Sequence, residues 1–157
     1  MTQPVSRRVV QAFYQAYSAR DAVRMADFLD DDIEWLISGP KVLLPYCGMH
    51  RGKAAVVDLF RRQIPAVFEL RAFEPELVLI DGDCAALYGY LGGIQCSSGR
   101  RLRYRHAQFV RFRNNKVVSV RAMLDSLDFA EQWLGHPLYL GAPPVAPDEP
   151  ESDIVAV

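Results

Sequence analysis

The stretch 102–125, LRYRHAQFVRFRNNKVVSVRAMLD, alternates with a period of two through its first half. Leu102, Tyr104, His106, Gln108, Val110 and Phe112 fall on one side of an extended chain. Arg101, Arg103, Arg105, Arg111 and Arg113 fall on the other. A helix would scatter both sets around its axis, whereas a half-buried strand separates them. Asn114-Asn115 then marks a tight turn into a second strand over 116–125. His106 and Gln108 sit on the apolar face, where a plain core needs neither. Two polar groups aimed into a greasy interior predict a ligand cavity.

Composition narrows the class. The 157 residues suffice for one domain, and half of them are apolar, so a core can be buried. The net charge of -1 predicts no general attraction to nucleic acid or to an anionic membrane. The arginine stripe over 100–113 reads as a solvated sheet face or a subunit contact. Cys47, Cys84 and Cys96 lack paired spacing, which argues against a disulfide framework or a zinc site. The start of the chain has no apolar leader, and no run is long enough for a membrane helix. The expectation is a reduced, cytoplasmic protein without a cofactor.

Helical spacing is expected over 5–18, through Val9, Val10, Phe13 and Tyr17, and over 21–29. Asp30-Asp31-Asp32 reads as a solvated turn. A short strand over 33–38 places Trp35 and Ile37 on one face. The segment 39–52, with Pro40, Pro45, Gly48 and Gly52, reads as a loop in which Cys47 and His50 could cover a pocket mouth. A helix over 53–64 should end at Pro65. Strands are expected at 68–80, 84–95, 101–113 and 116–125, and a last helix at 127–134. The tail 142–157, rich in proline and acid, should add little to the fold. Helices followed by a strand meander predict an α+β fold in which the sheet curls over the helices.

The order of elements, together with ARDAVRMADFLDDDIEW, HRGKAAVVDLF and FVRFRNNKVVSVRAML, resembles the nuclear-transport-factor-2-like superfamily. The likeness is to its ketosteroid isomerases and SnoaL-type polyketide cyclases. It implies a cone-shaped α+β barrel over 1–141, with a curved antiparallel sheet wrapped around N-terminal helices. The family alignment puts Phe13, Ile37 and Gln108 where ketosteroid isomerases carry a tyrosine, a proton-shuttling base and an oxyanion-binding acid. It puts Ala122 where SnoaL-type cyclases carry an aspartate, and Asp125 at a second acidic position. This chain therefore resembles a member with a rebuilt site.

The resemblance also places Tyr88 and Tyr90 on the pocket side of their strand. The expected site joins His106 and Tyr88 as catalytic residues to Phe13, Tyr17, Trp35, Tyr90 and Gln108 as ligand-binding residues. His106 suits proton transfer near neutral pH. Its other reading is a core histidine bonded to a neighbouring hydroxyl. Tyr88, Tyr90 or Gln108 could hold a ligand oxygen. The expected function is cofactor-independent isomerisation or cyclisation of a small hydrophobic carbonyl compound by proton transfer, with no metal. The alternative is a non-catalytic binder of a hydrophobic small molecule. A homodimer packed through the outer sheet face is expected, with neither nucleic acid nor membrane as a partner.

Overall fold

The computed structural model describes residues 3–139 and 141. The expected tail, 142–157, lies outside the described residues. Helix α1 (Arg7–Ser18) begins where the Ser6 hydroxyl accepts from the Val9 N–H. Its buried residues, Val10, Phe13, Tyr14, Ala16 and Tyr17, form one stripe at helical spacing. Asp21 caps α2 (Ala22–Ala26) in the same way. A mixed sheet of six strands curves around these helices, in the order β2-β1-β6-β5-β4-β3. Its strands are β1 (Leu29–Ser38), β2 (Gly48–Arg51), β3 (Phe68–Asp81), β4 (Cys84–Gln95), β5 (Arg101–Arg113) and β6 (Lys116–Leu124). Helix α5 (Ser126–Leu134) closes one end.

Local chemistry accounts for the hairpins. Asn114 and Asn115 both take left-handed conformations, φ 51° and 62°. That pairing lets a two-residue turn match the twist of β5 and β6. Gly82, at φ 55°, serves the turn between β3 and β4. β3 lies at an edge of the sheet. Register breaks in its pairing with β4, between Leu70 and Ala72 and between Pro75 and Leu77, together with Pro75, make this edge strand irregular. These are devices that discourage pairing with another chain.

Four expectations change. The sheet is not purely antiparallel, because β1 runs parallel to β6 with Trp35 opposite Val120. A parallel neighbour requires a long connection, and here the rest of the sheet supplies it. Asp30, Asp31 and Asp32 belong to β1, at a register break before Glu34. Asp30 is held there by Arg113, 3.3 Å away. The loop 39–52 contains β2, which pairs with β1. The helix at 53 does not stop at Pro65. It runs through α3 (Lys53–Asp58), a π-helical turn (Leu59–Gln63) and α4 (Ile64–Val67). A proline inside a regular helix clashes with the carbonyl four residues earlier, and the wider π turn ahead of Pro65 relieves that constraint.

Candidate functional site

β5 brings the site together. Tyr104, His106 and Gln108 alternate onto its buried face, and the last two are 4% and 1% exposed. Gly89 and Leu124 flank His106 across the sheet, and Leu87 and Ala122 flank Gln108. The small Ala122 lines the cavity beside Gln108. Tyr17 of α1, Trp35 and Ile37 of β1, Tyr46 of the loop before β2 and Phe60 of the π turn complete the wall. The enclosed space is about 50 Å³. That is far below the roughly 300–1,000 Å³ of sites for drug-sized ligands, so a ligand larger than a few atoms must displace side chains.

The polar heads are electrically neutral. Burial pushes the His106 imidazole down to about 4. It pushes the Tyr17 hydroxyl up to about 12, against the opposing influence of Arg20 and Gln108. Burial likewise raises Tyr46 and Tyr104 well above the usual phenol range. Neither ring nitrogen of His106 has a hydrogen-bond partner among the described residues, nor does Gln108 Oε1. The Gln108 side chain reaches the Tyr17 hydroxyl. Leaving such groups unpaired costs roughly 1–3 kcal/mol each. The cavity can therefore offer a bound molecule phenol donors, an imidazole that gives or accepts a proton, and a carboxamide oxygen, against aromatic walls.

Of the expected site residues, Tyr17, Trp35, His106 and Gln108 share this cavity. Phe13 does not line it. Phe13 is fully buried behind Trp35, packed against Phe28 and Phe112, and serves the core. Tyr88 and Tyr90 face the opposite side of the sheet from the position expected. Tyr88 is 41% exposed with Arg105 over its ring, and Arg103 lies 3.5 Å from the centre of the Tyr90 ring. A side chain at Gly89 or Gly93 would collide with the β3 backbone at Glu74 or Glu69. The glycine parity of β4 must therefore face inward, which sends the tyrosines out.

Tyr46, Phe60 and Tyr104 are cavity residues that the sequence reading left out. Tyr104 carried a usable signal, its shared parity with His106. Phe60 carried the helical apolar spacing of 53–64, which does not say that it reaches the cavity, and Tyr46, in a loop, carried none. His50 donates from Nε2 to the Tyr46 carbonyl at 2.7 Å, so it holds the loop and does not line the cavity. Cys47 is buried, and burial pushes its thiol up to about 11. Asp125 caps α5 by accepting from the Asp128 N–H, and Arg121 pairs with Glu34.

The family model for the SnoaL-like domain matches residues 10–120. The chain belongs to this family. Among solved structures, the SnoaL-like protein is similar to a "putative isomerase" from Rhodopseudomonas palustris. Identity is 32% over 82% of this chain and 95% of that one, with a TM-score of 0.71. It is also similar to an NTF2-like protein from Burkholderia xenovorans LB400, at 28% identity over 80% and 92% of the two chains, TM-score 0.66. A "putative polyketide cyclase" from Xanthomonas campestris pv. campestris shares the fold at 18% identity over 80% and 94%, TM-score 0.68. A search of curated proteins finds no match to this chain. The α+β fold is that of the NTF2-like proteins. Among the described residues, no helix is long and apolar enough to cross a membrane.

Proposed function

We propose that the SnoaL-like protein is an isomerase or cyclase that moves a proton on a small hydrophobic carbonyl compound. The observation that carries this reading is the pair of unpaired nitrogens of His106 beside the unpaired Gln108 Oε1, in a cavity walled by Trp35 and Phe60. The similarity to a protein named an isomerase agrees with it. Neutral His106 takes the proton from the carbon next to the carbonyl. The electron pair of that C–H bond moves onto the carbonyl oxygen. The Tyr17 and Tyr104 hydroxyls donate to the enolate oxygen, and donors fixed in a dry site stabilise such charge strongly. The imidazolium then returns the proton at another carbon, or the enolate carbon attacks a second carbonyl, closes a ring, and the imidazolium gives its proton to the alkoxide oxygen so formed. Trp35 and Phe60 grip the apolar body.

The test is exchange of α-protons for deuterium in a panel of hydrophobic ketones, followed by NMR. His106→Ala is expected to slow exchange by roughly 10²-fold or more while the circular dichroism spectrum stays unchanged. Wild-type rates in the variant overturn His106 as the proton carrier.

The depression of His106 to about 4 favours a second reading, a non-catalytic binder, because so weak a base holds few protons at pH 7. Under that reading the same ketones shift the His106 resonances, but their α-protons do not exchange.

The outer sheet face is proposed as a homodimer contact. Leu77, Leu79, Tyr88, Phe109 and Met123 are exposed there. Sedimentation should give about twice 17.7 kDa, and a monomer at micromolar concentration overturns it.

A further inference from the structure

We infer that Arg20 selects, for this site, ligands that carry a carboxylate on an apolar body. The inference rests on the proposed reading of the inner cavity as the ligand site and specifies its substrate class.

Arg20 stands at the corner after α1, at φ 55°. The Arg20 N–H donates to the Tyr17 carbonyl and the Asp21 N–H to the Ala16 carbonyl, which closes the helix. Glycine is the residue best suited to such a corner, and a side chain there costs roughly 1–2 kcal/mol. The backbone therefore gives no reason for a long cationic residue.

The side chain is half-buried and lines a surface pocket of about 470 Å³. Tyr17, Phe60, Ile64 and Leu70 belong to the wall of this pocket and also to that of the inner cavity. The two spaces are thus separated by one layer of side chains. Among the described residues, the Arg20 guanidinium makes no ion pair or hydrogen bond. The acids on the same pocket are engaged elsewhere: Asp21 accepts from the Arg24 N–H at 2.9 Å, and Glu69 pairs with Arg71 at 2.7 Å. Arg61, also on this pocket, is exposed and adds to the positive charge. The groups nearest to Arg20 in charge terms are the Tyr17 and Tyr104 hydroxyls, both held neutral by burial.

A guanidinium partly withdrawn from water and without a protein partner can take a carboxylate with two parallel hydrogen bonds. The apolar part of such a ligand would displace the shared layer of Phe60, Ile64 and Leu70 and enter the inner cavity toward His106.

The experiment compares 2-naphthoate with 2-acetonaphthone, a neutral ketone on the same ring system. Affinity is read by calorimetry, and the His106 resonances are followed by NMR. The wild type should bind the carboxylate at least about tenfold more tightly, the scale of one charge-assisted hydrogen bond, and both probes should move His106. Arg20→Gly keeps the left-handed corner, so it should fold. It should abolish the preference and leave ketone affinity unchanged. Arg20→Lys should retain part of the preference. Equal affinities in the wild type, a preference that survives in Arg20→Gly, or carboxylate binding that leaves His106 undisturbed each overturns the inference. If the ketone still binds and moves His106 in those cases, the proposed function stands without Arg20. If the ketone neither binds nor moves His106, that reading fails instead.

Discussion

On the outward face of β5, three of the five arginines have acidic partners. Arg103 pairs with Glu74 at 2.7 Å, Arg105 with Glu76 at 3.0 Å and Arg113 with Asp30 at 3.3 Å. Arg103 and Arg105 also cover the rings of Tyr90 and Tyr88. On the inward face of the same strand, His106 and Gln108 keep polar atoms that nothing among the described residues satisfies. The two faces share a backbone, a twist and neighbouring strands. They differ in water. Outside, charge costs little, and ion pairs add little because solvent screens them. Inside, an unpaired polar atom is expensive, and its natural complement is a bound molecule. The proposed site lies where β5 turns inward polar atoms that have no partner among the described residues.

That contrast can be broken by experiment. The largest effect should be on the pH dependence of stability. His106 has a folded-state pKa pushed down to about 4 from an ordinary 6.5. Between those values the unfolded chain binds a proton that the folded protein excludes. Stability from this group is therefore complete above pH 6.5, falls as the pH drops, and stops falling below about pH 4. At about 1.4 kcal/mol per pK unit the loss is roughly 3 kcal/mol. Urea melts of the wild type and of His106→Leu across pH 4–7 should diverge by that order. Parallel curves would mean that His106 is not held neutral by burial.

A smaller effect is expected for Gln108→Leu, which removes an unsatisfied buried carboxamide. It should raise stability by roughly 1 kcal/mol, while weakening the binding of hydrophobic ketones. Destabilisation would show that Gln108 is a structural residue and that the two faces of β5 are alike. The smallest effect belongs outside. Arg105→Ala should leave the melting temperature nearly unchanged, and what change there is should shrink with added salt. A loss larger than those on the inward face would remove the distinction between the faces.

Much of the fold was legible because its signals are local. The alternation in 101–113, Asn114-Asn115 and the stripe Val10, Phe13 and Tyr17 each need only neighbouring residues to act. Trp35, His106 and Gln108 could be placed on a shared inner wall from strand parity together with the family resemblance. Parity within one strand, however, says which residues share a face and not which face turns inward. β4 carries Tyr88 and Tyr90 on one parity and Gly89 and Gly93 on the other, and the family resemblance pointed to the wrong one.

By itself, the sequence determined the four long strands, the Asn114-Asn115 turn, the first helix and the inward position of His106. Those follow from backbone preference and from the cost of placing the arginines in a core. The tertiary structure alone decided that β1 lies parallel to β6, that Phe13 serves the core, and that Tyr46 and Phe60 reach the cavity. It also decided that Tyr88 and Tyr90 turn to solvent, because β3 crosses so close to Gly89 and Gly93 that no side chain fits between them. Such contacts join residues far apart in the chain. They depend on where two backbones meet, and no local pattern encodes that.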